Sequence, residues 1–131
     1  MKFKRLIPEL KVSNLEASKA LYLDGLGFRI RYERPEDKFA FIELDGSQIM
    51  LYESLSGSWN TGGLVYPFGR GINLQMIVND VDKLYERVKK KNLVLFQEMS
   101  REKYSEWLVE EFLVQDPDGY LLRFQQEVKS K

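Results

Sequence analysis

"LKVSNLEASKAL", residues 10–21, and "MIVNDVDKLYER", residues 76–87, share one grammar at a spacing of 66 positions. In each, an alternating apolar run ends at a valine, Val12 or Val78, and a helix-capping residue, Asn14 or Asp80, stands two places on. Asn and Asp suit that place because their side-chain oxygens accept from N–H groups that the first helical turn leaves unpaired. Val81, Leu84, Tyr85 and Val88 then recur at i, i+3, i+4 and i+7, the stripe of an amphipathic helix. The first helix is expected over "LEASKALYLDGLG", closed by Gly25 and Gly27. Residue identity between the two stretches is weak; the order of elements is what repeats.

Working outward, Leu6, Pro8, Leu10 and Val12 alternate with Ile7, Glu9 and Lys11 as a strand. After the helix comes "FRIRYERP", 28–35, with Phe28, Ile30 and Tyr32 expected on one face. "KFAFIEL", 38–44, and "SQIMLYE", 47–53, are strands joined by Asp45-Gly46, a strong hairpin signal. The second half opens on Ile72, Leu74, Met76 and Val78, passes its helix, and continues through "LVLFQEM", "EWLVEEFLVQ" and "YLLRFQQ". Asp116 to Gly119 before the last strand has type I turn chemistry. The expected fold class is therefore α+β: tandem βαβββ modules, about 5–54 and 70–127, making one domain over 1–131. Residues 55–69 join them, rich in glycine and aromatics and longer than an ordinary connection. This segment reads equally as a crossover packed on the surface below or as a flap over a site.

Composition removes several chemistries. Lys plus Arg and Asp plus Glu each number 20, so there is no electrostatic footprint for nucleic acid. No run of signal or transmembrane length opens the chain, and a cytoplasmic protein without membrane contact is expected. Histidine and cysteine are both absent, which removes the commonest metal ligand and general base together with the thiolate nucleophile. Chemistry here would run on carboxylates, Tyr, Lys, Ser/Thr or Arg.

The stretch from Val12 to Phe28, "VSNLEASKALYLDGLGF", with the terminal "DPDGYLLRF", 116–124, resembles the vicinal oxygen chelate superfamily. That superfamily includes glyoxalase I, extradiol dioxygenases, and fosfomycin- and bleomycin-resistance proteins, and the resemblance covers essentially the whole chain. It implies sheets curved into half-barrels with helices on the convex side and the site on the concave side. Metal-dependent relatives keep one His, Glu or Gln ligand on each of four strands, and the motifs align those positions with Ile7, Met50, Asn73 and Arg123. Isoleucine cannot ligate, and arginine is a fixed cation, so no metal and no cofactor are expected.

The resemblance is closest to the metal-free bleomycin-resistance type, which implies a homodimer whose clefts sequester a large aromatic or polycyclic molecule without turnover. Such binding needs aromatic plates and charged partners in a concave groove. The expected ligand-binding residues are Glu9, Lys11, Phe39, Phe41, Met50, Tyr52, Trp59, Asn73, Gln75, Trp107 and Arg123. Phe68 and Tyr104 are further candidate aromatics, and Glu43 and Glu111 further candidate acids. Glu9 is expected to pair with Arg123 or Lys11. The balanced charge argues against a cationic drug as the ligand, and Arg123, Lys11 and Arg70 equally suit a carboxylate. The alternative is a glyoxalase- or dioxygenase-like enzyme using Glu9 as general base or a displaced metal site.

Overall fold

The computed structural model describes residues 2–55 and 59–128. The first half runs β1 (Glu9–Lys11), α1 (Leu15–Lys19), β2 (Arg29–Arg34), β3 (Phe39–Leu44) and β4 (Ser47–Tyr52). The second runs β5 (Asn73–Ile77), α2 (Val81–Lys90), β6 (Leu95–Tyr104), β7 (Trp107–Gln115) and β8 (Leu121–Glu127). Two four-stranded sheets result, ordered β1-β4-β3-β2 and β5-β8-β7-β6, each with a parallel first pair and antiparallel remainder. The fold is the α+β arrangement of curved βαβββ modules that the sequence repeat implies.

Strand alternation sorts the side chains. Leu10, Val12, Ile42, Ile49 and Leu51 from the first sheet, and Met76, Val78, Phe112, Val114, Leu122 and Phe124 from the second, face the helices in one continuous core. Tyr22, Leu26, Val81, Leu84 and Val88 complete it, so the two helices lie between the sheets and the other face of each sheet points outward. Asn14 caps α1 by accepting the Ala17 N–H at 3.0 Å, and Asp80 caps α2 through the Lys83 N–H at 3.0 Å. After Lys19 the first helix continues as a π-helical segment to Gly25, which buries Tyr22 completely.

The halves are stitched reciprocally. Ser13 donates its backbone N–H to Asp118 of the second half's last turn, at 3.0 Å. Asn79, 66 residues after Ser13, donates to Asp45, 73 residues before Asp118, at 2.9 Å. Each hairpin turn thus holds the strand-to-helix corner of the other half. Within each half the same logic repeats: Glu53 accepts the Leu15 N–H at 2.8 Å and Gln126 accepts that of Val81 at 2.9 Å. Asp116, Asp118 and Gly119 form the more buried of the two turns. Gly119 has φ +92, and a β-carbon there would lie 2.4 Å from Pro67 Cβ, so both conformation and space require glycine.

Several expectations need correction. β1 covers only Glu9–Lys11, shorter than the expected run from Leu6 to Val12, and Leu6 and Ile72, which open the two expected strands, stand outside β1 and β5 at 84% and 63% exposure. Phe28, Ile30 and Tyr32 do not share one face. A bulge at Arg31 pairs Ile30 with Ile42 but Tyr32 with Phe41, which moves Tyr32 to the concave side. β6 extends beyond the expected "LVLFQEM", through "REKY" to Tyr104, and as an edge strand it exposes polar residues on both sides. The turn that ends it uses Ser105 at φ +57. The 55–69 segment falls partly outside the described residues, at 56–58; its later part packs down, with Phe68 buried edge-on against Tyr120 and its N–H donated to Asp118 O.

Candidate functional site

The concave face of the second sheet carries a polar cluster with an open cleft. β7 places Glu111 opposite Gln125 of β8, and β8 places Arg123 opposite Gln75 of β5. Arg123 donates its Nε–H to Glu111 at 2.8 Å, and Gln125 donates to the same carboxylate oxygen at 2.9 Å. The Tyr104 hydroxyl donates to the other Glu111 oxygen, and Gln75 donates to Gln125 at 3.1 Å. The Arg123 guanidinium carbon lies 5.5 Å from the centre of the Tyr104 ring. Glu111 is buried, so its charge requires such a set of partners. Burial opposes its ionisation, but the hydrogen bonds from Tyr104, Arg123 and Gln125, with the Arg123 charge, outweigh it and hold the carboxyl below its ordinary range. The same bond raises the Tyr104 phenol.

Above this floor is a cleft of about 440 Å³ lined by Gln75, Ile77, Tyr104, Trp107, Val109 and Arg123, among others. Trp107, at the start of β7, is 51% exposed, and Ile77 is exposed beside it. An aromatic plate, an aliphatic wall and a guanidinium therefore converge on one concavity.

The corresponding face of the first sheet is closed. Phe41 stacks on Tyr32 with ring centres 5.3 Å apart, Phe39 meets Tyr52 edge-on at 6.2 Å, and Phe3 covers Phe41 edge-on at 5.5 Å. Arg34 lies over the Phe39 ring at 3.9 Å. The N-terminal residues are fastened over this face by Gln48, which accepts the Lys4 N–H and donates to Lys2 O. Phe39 and Phe41 are consequently buried against the chain's own aromatics.

Of the expected ligand-binding residues, Gln75, Trp107 and Arg123 come together in the second-half cleft. Glu9, Lys11, Phe39, Phe41, Met50 and Tyr52 lie on the first sheet's concave side, with Met50 in register with both Glu9 and Phe41. Glu9 does not meet Arg123. It pairs with Lys11 at 3.7 Å, because the two stand two places apart on one strand while Arg123 belongs to the other sheet. Lys11 also donates to Asn60 at 3.0 Å, anchoring the loop beside Trp59, which is 88% exposed. Asn73 is exposed and lines a groove between the halves with Gln48 and Leu6. Glu111 and Tyr104, named from the sequence as a further candidate acid and aromatic, complete the second-half cluster.

The four positions aligned with metal ligands offer one thioether, one amide and no carboxylate, and the one at Arg123 is a cation already paired with Glu111. That donor set does not fit a divalent ion. Among the described residues no three acidic side chains gather as a metal-binding group. No described helix is long and apolar enough to cross a membrane.

A second buried cluster sits at the last turn. Asp116 accepts from the Tyr22 hydroxyl at 2.8 Å and from the N–H groups of Asp118 and Tyr120. Burial pushes its carboxyl up to about 6 against those bonds, and burial with the nearby carboxylates pushes Tyr120 to about 12. Tyr120 donates its hydroxyl to Lys11 O at 2.8 Å, so this cluster joins the halves.

Comparison with known proteins agrees with this architecture. The family model described as Glyoxalase/Bleomycin resistance protein/Dioxygenase superfamily matches residues 7–124. Bleomycin resistance proteins of Geobacillus stearothermophilus and Staphylococcus aureus are each 27% identical, over 95% of this chain and 97% of theirs. A crystal structure of a glyoxalase/bleomycin resistance protein/dioxygenase from Alicyclobacillus acidocaldarius superposes with a TM-score of 0.70. It is 21% identical, covers 95% of this chain and 91% of its own, and shows likeness of fold.

Proposed function

The chain belongs to the glyoxalase/bleomycin resistance protein/dioxygenase superfamily, and from that premise we propose that it is a metal-free binding protein of the bleomycin-resistance type. It sequesters an aromatic or polycyclic ligand in a concave cleft. The observation that carries this reading is the second-half concavity, where exposed Trp107 and Ile77 flank the Arg123–Glu111 pair. A flat ligand stacks on Trp107 and covers Ile77, removing apolar surface from water. Glu111 takes the Arg123 Nε–H, and the guanidinium has further donors for an acceptor on the ligand. A paired cation and anion at the floor select a polar, weakly charged group over a strongly cationic one.

The acting form we assign is a cytoplasmic homodimer, as the family resemblance and the cysteine-free composition suggest. A second copy over the half-open cleft would supply the wall that one chain lacks. The test is a titration with bleomycin and with uncharged and carboxylate-bearing polycyclic compounds, followed by tryptophan fluorescence and thermal shift. Saturable binding at one site per chain, lost in Trp107→Ala and without chemical change in the compound, is expected. Turnover of the bound compound, or a stoichiometric divalent ion held by the purified protein, overturns the reading.

A further inference from the structure

A further concavity, of about 770 Å³, lies away from both concave sheet faces, between α2 and the first half. That is within the usual range for small-molecule sites. Its floor is apolar, made by Leu26, Leu44, Val78 and Leu84, and its rim is basic. Lys83, Arg87, Lys90 and Lys91 stand at i, i+4, i+7 and i+8 along the one side of α2 that borders the cleft.

The charges on this rim are unequal in freedom. Arg87 is committed: it donates to the carbonyls of Gly25 and Asp24 at 2.9 and 2.8 Å, tying α2 to the end of the first helix. Asp45 and Asp80 also border the cleft, but each accepts a backbone N–H, from Asn79 and Lys83 respectively. Among the described residues, no carboxylate stands within salt-bridge distance of the Lys83, Lys90 or Lys91 ammonium groups. An apolar hollow beneath three unpaired ammonium groups is complementary to a molecule with an apolar body and one anionic head. A neutral molecule would gain nothing from the rim, and a cation would be repelled by it.

We propose that this cleft binds a small, soluble amphipathic anion, an aromatic or medium-chain carboxylate or sulfonate. Its apolar body lies on Leu26, Leu44 and Leu84, and its head sits among Lys83, Lys90 and Lys91. The site is separate from the concave cleft that holds Trp107, so the two stand or fall independently.

The probe is 8-anilinonaphthalene-1-sulfonate, read by its own fluorescence on the full chain, with decanoate below its micellar concentration as competitor. The expected result is one decanoate-displaceable probe per chain, which decanol and decylamine do not displace. The doubly substituted Lys90→Glu, Lys91→Glu protein should weaken binding about tenfold, since reversing two rim charges removes roughly 1.4 kcal/mol of attraction. Both positions are exposed, and an unchanged melting temperature shows that the fold is intact. Lys83→Glu gives a second reading from the first turn of the helix. Equal binding by the Glu variants, displacement by decylamine as readily as by decanoate, or binding to phosphatidylglycerol vesicles without displacement of the probe by decanoate would each overturn the proposal.

Discussion

The outward faces of the two sheets come from the same module and have gone opposite ways. The first is packed shut by Phe3, Tyr32, Phe39, Phe41 and Tyr52, with Arg34 laid over the top. The second holds a hydrogen-bonded polar floor under a cleft edged by Trp107. Because helix, caps and turns face the other way, a module can change its whole outward face without disturbing the core that makes it fold. The repeat conserves the scaffold and frees the concave side.

That contrast can be broken by substitution. The largest effect is expected from Phe41→Ala, which empties the middle of the closed face: about 3–5 kcal/mol of stability lost in urea denaturation. A loss below about 1 kcal/mol would mean that the aromatic face is not a packed core.

Next comes the pH response of Asp116. Its folded carboxyl titrates at about 6, above the ordinary value of 3.8, so the folded state holds the proton more tightly than the unfolded chain. The stability it provides is full when the acid is protonated in both states and falls as pH rises from about 4 to about 6. The decline amounts to about 3 kcal/mol for a shift of this size. Glu43, Glu53 and Glu111, held low, act in the opposite sense and lose their contribution as the solution is acidified. The measurement is therefore the difference between the parent and Asp116→Asn at pH 4 and pH 7, which should shift toward the variant at the higher pH. Asn keeps an acceptor for the turn N–H groups and can donate to the Tyr22 oxygen.

On the polar face, Glu111→Leu leaves Arg123 without its carboxylate and should cost about 2 kcal/mol, less than a fully buried pair because Arg123 is partly exposed. The reciprocal caps give a graded pair. Asp118→Ala removes two bonds to Ser13 at a buried site and should cost about 2 kcal/mol; Asp45→Ala removes one to Asn79 at a more open site and should cost about 1 kcal/mol. Equal costs would mean that the two corners are equivalent after all. The smallest effect on stability belongs to Trp107→Ala, under about 0.5 kcal/mol, beside a large loss of ligand binding.

What could be read from the sequence was whatever depends on neighbours along the chain. Asn14, Asp80, Asp45-Gly46 and the α2 stripe act within a few residues, and the structure places them as their chemistry requires. What escaped depends on register or on a break in it. The bulge at Arg31 turns Tyr32 from the helix side to the outward face of the sheet with no local mark, since Arg-Ile-Arg-Tyr alternates smoothly through it. Arg123 lies on the concave side, but its partner is fixed by the β7–β8 pairing, which no spacing announces; of the two partners expected for Glu9, Lys11 is the one it meets. The covering of the first face depends on where the N-terminal residues cross, and Gln48 decides that from 44 residues away.

The reciprocal bonds of Ser13 to Asp118 and Asn79 to Asp45 carry one more consequence. A pair of separate βαβββ chains related by a two-fold axis would make this contact twice by symmetry, as isologous interfaces do. Here one chain makes it twice through its own two halves. The molecule carries a dimer interface whose symmetry axis has been fixed inside a single polypeptide. Cutting the 55–69 connection should therefore leave two fragments able to find each other in solution.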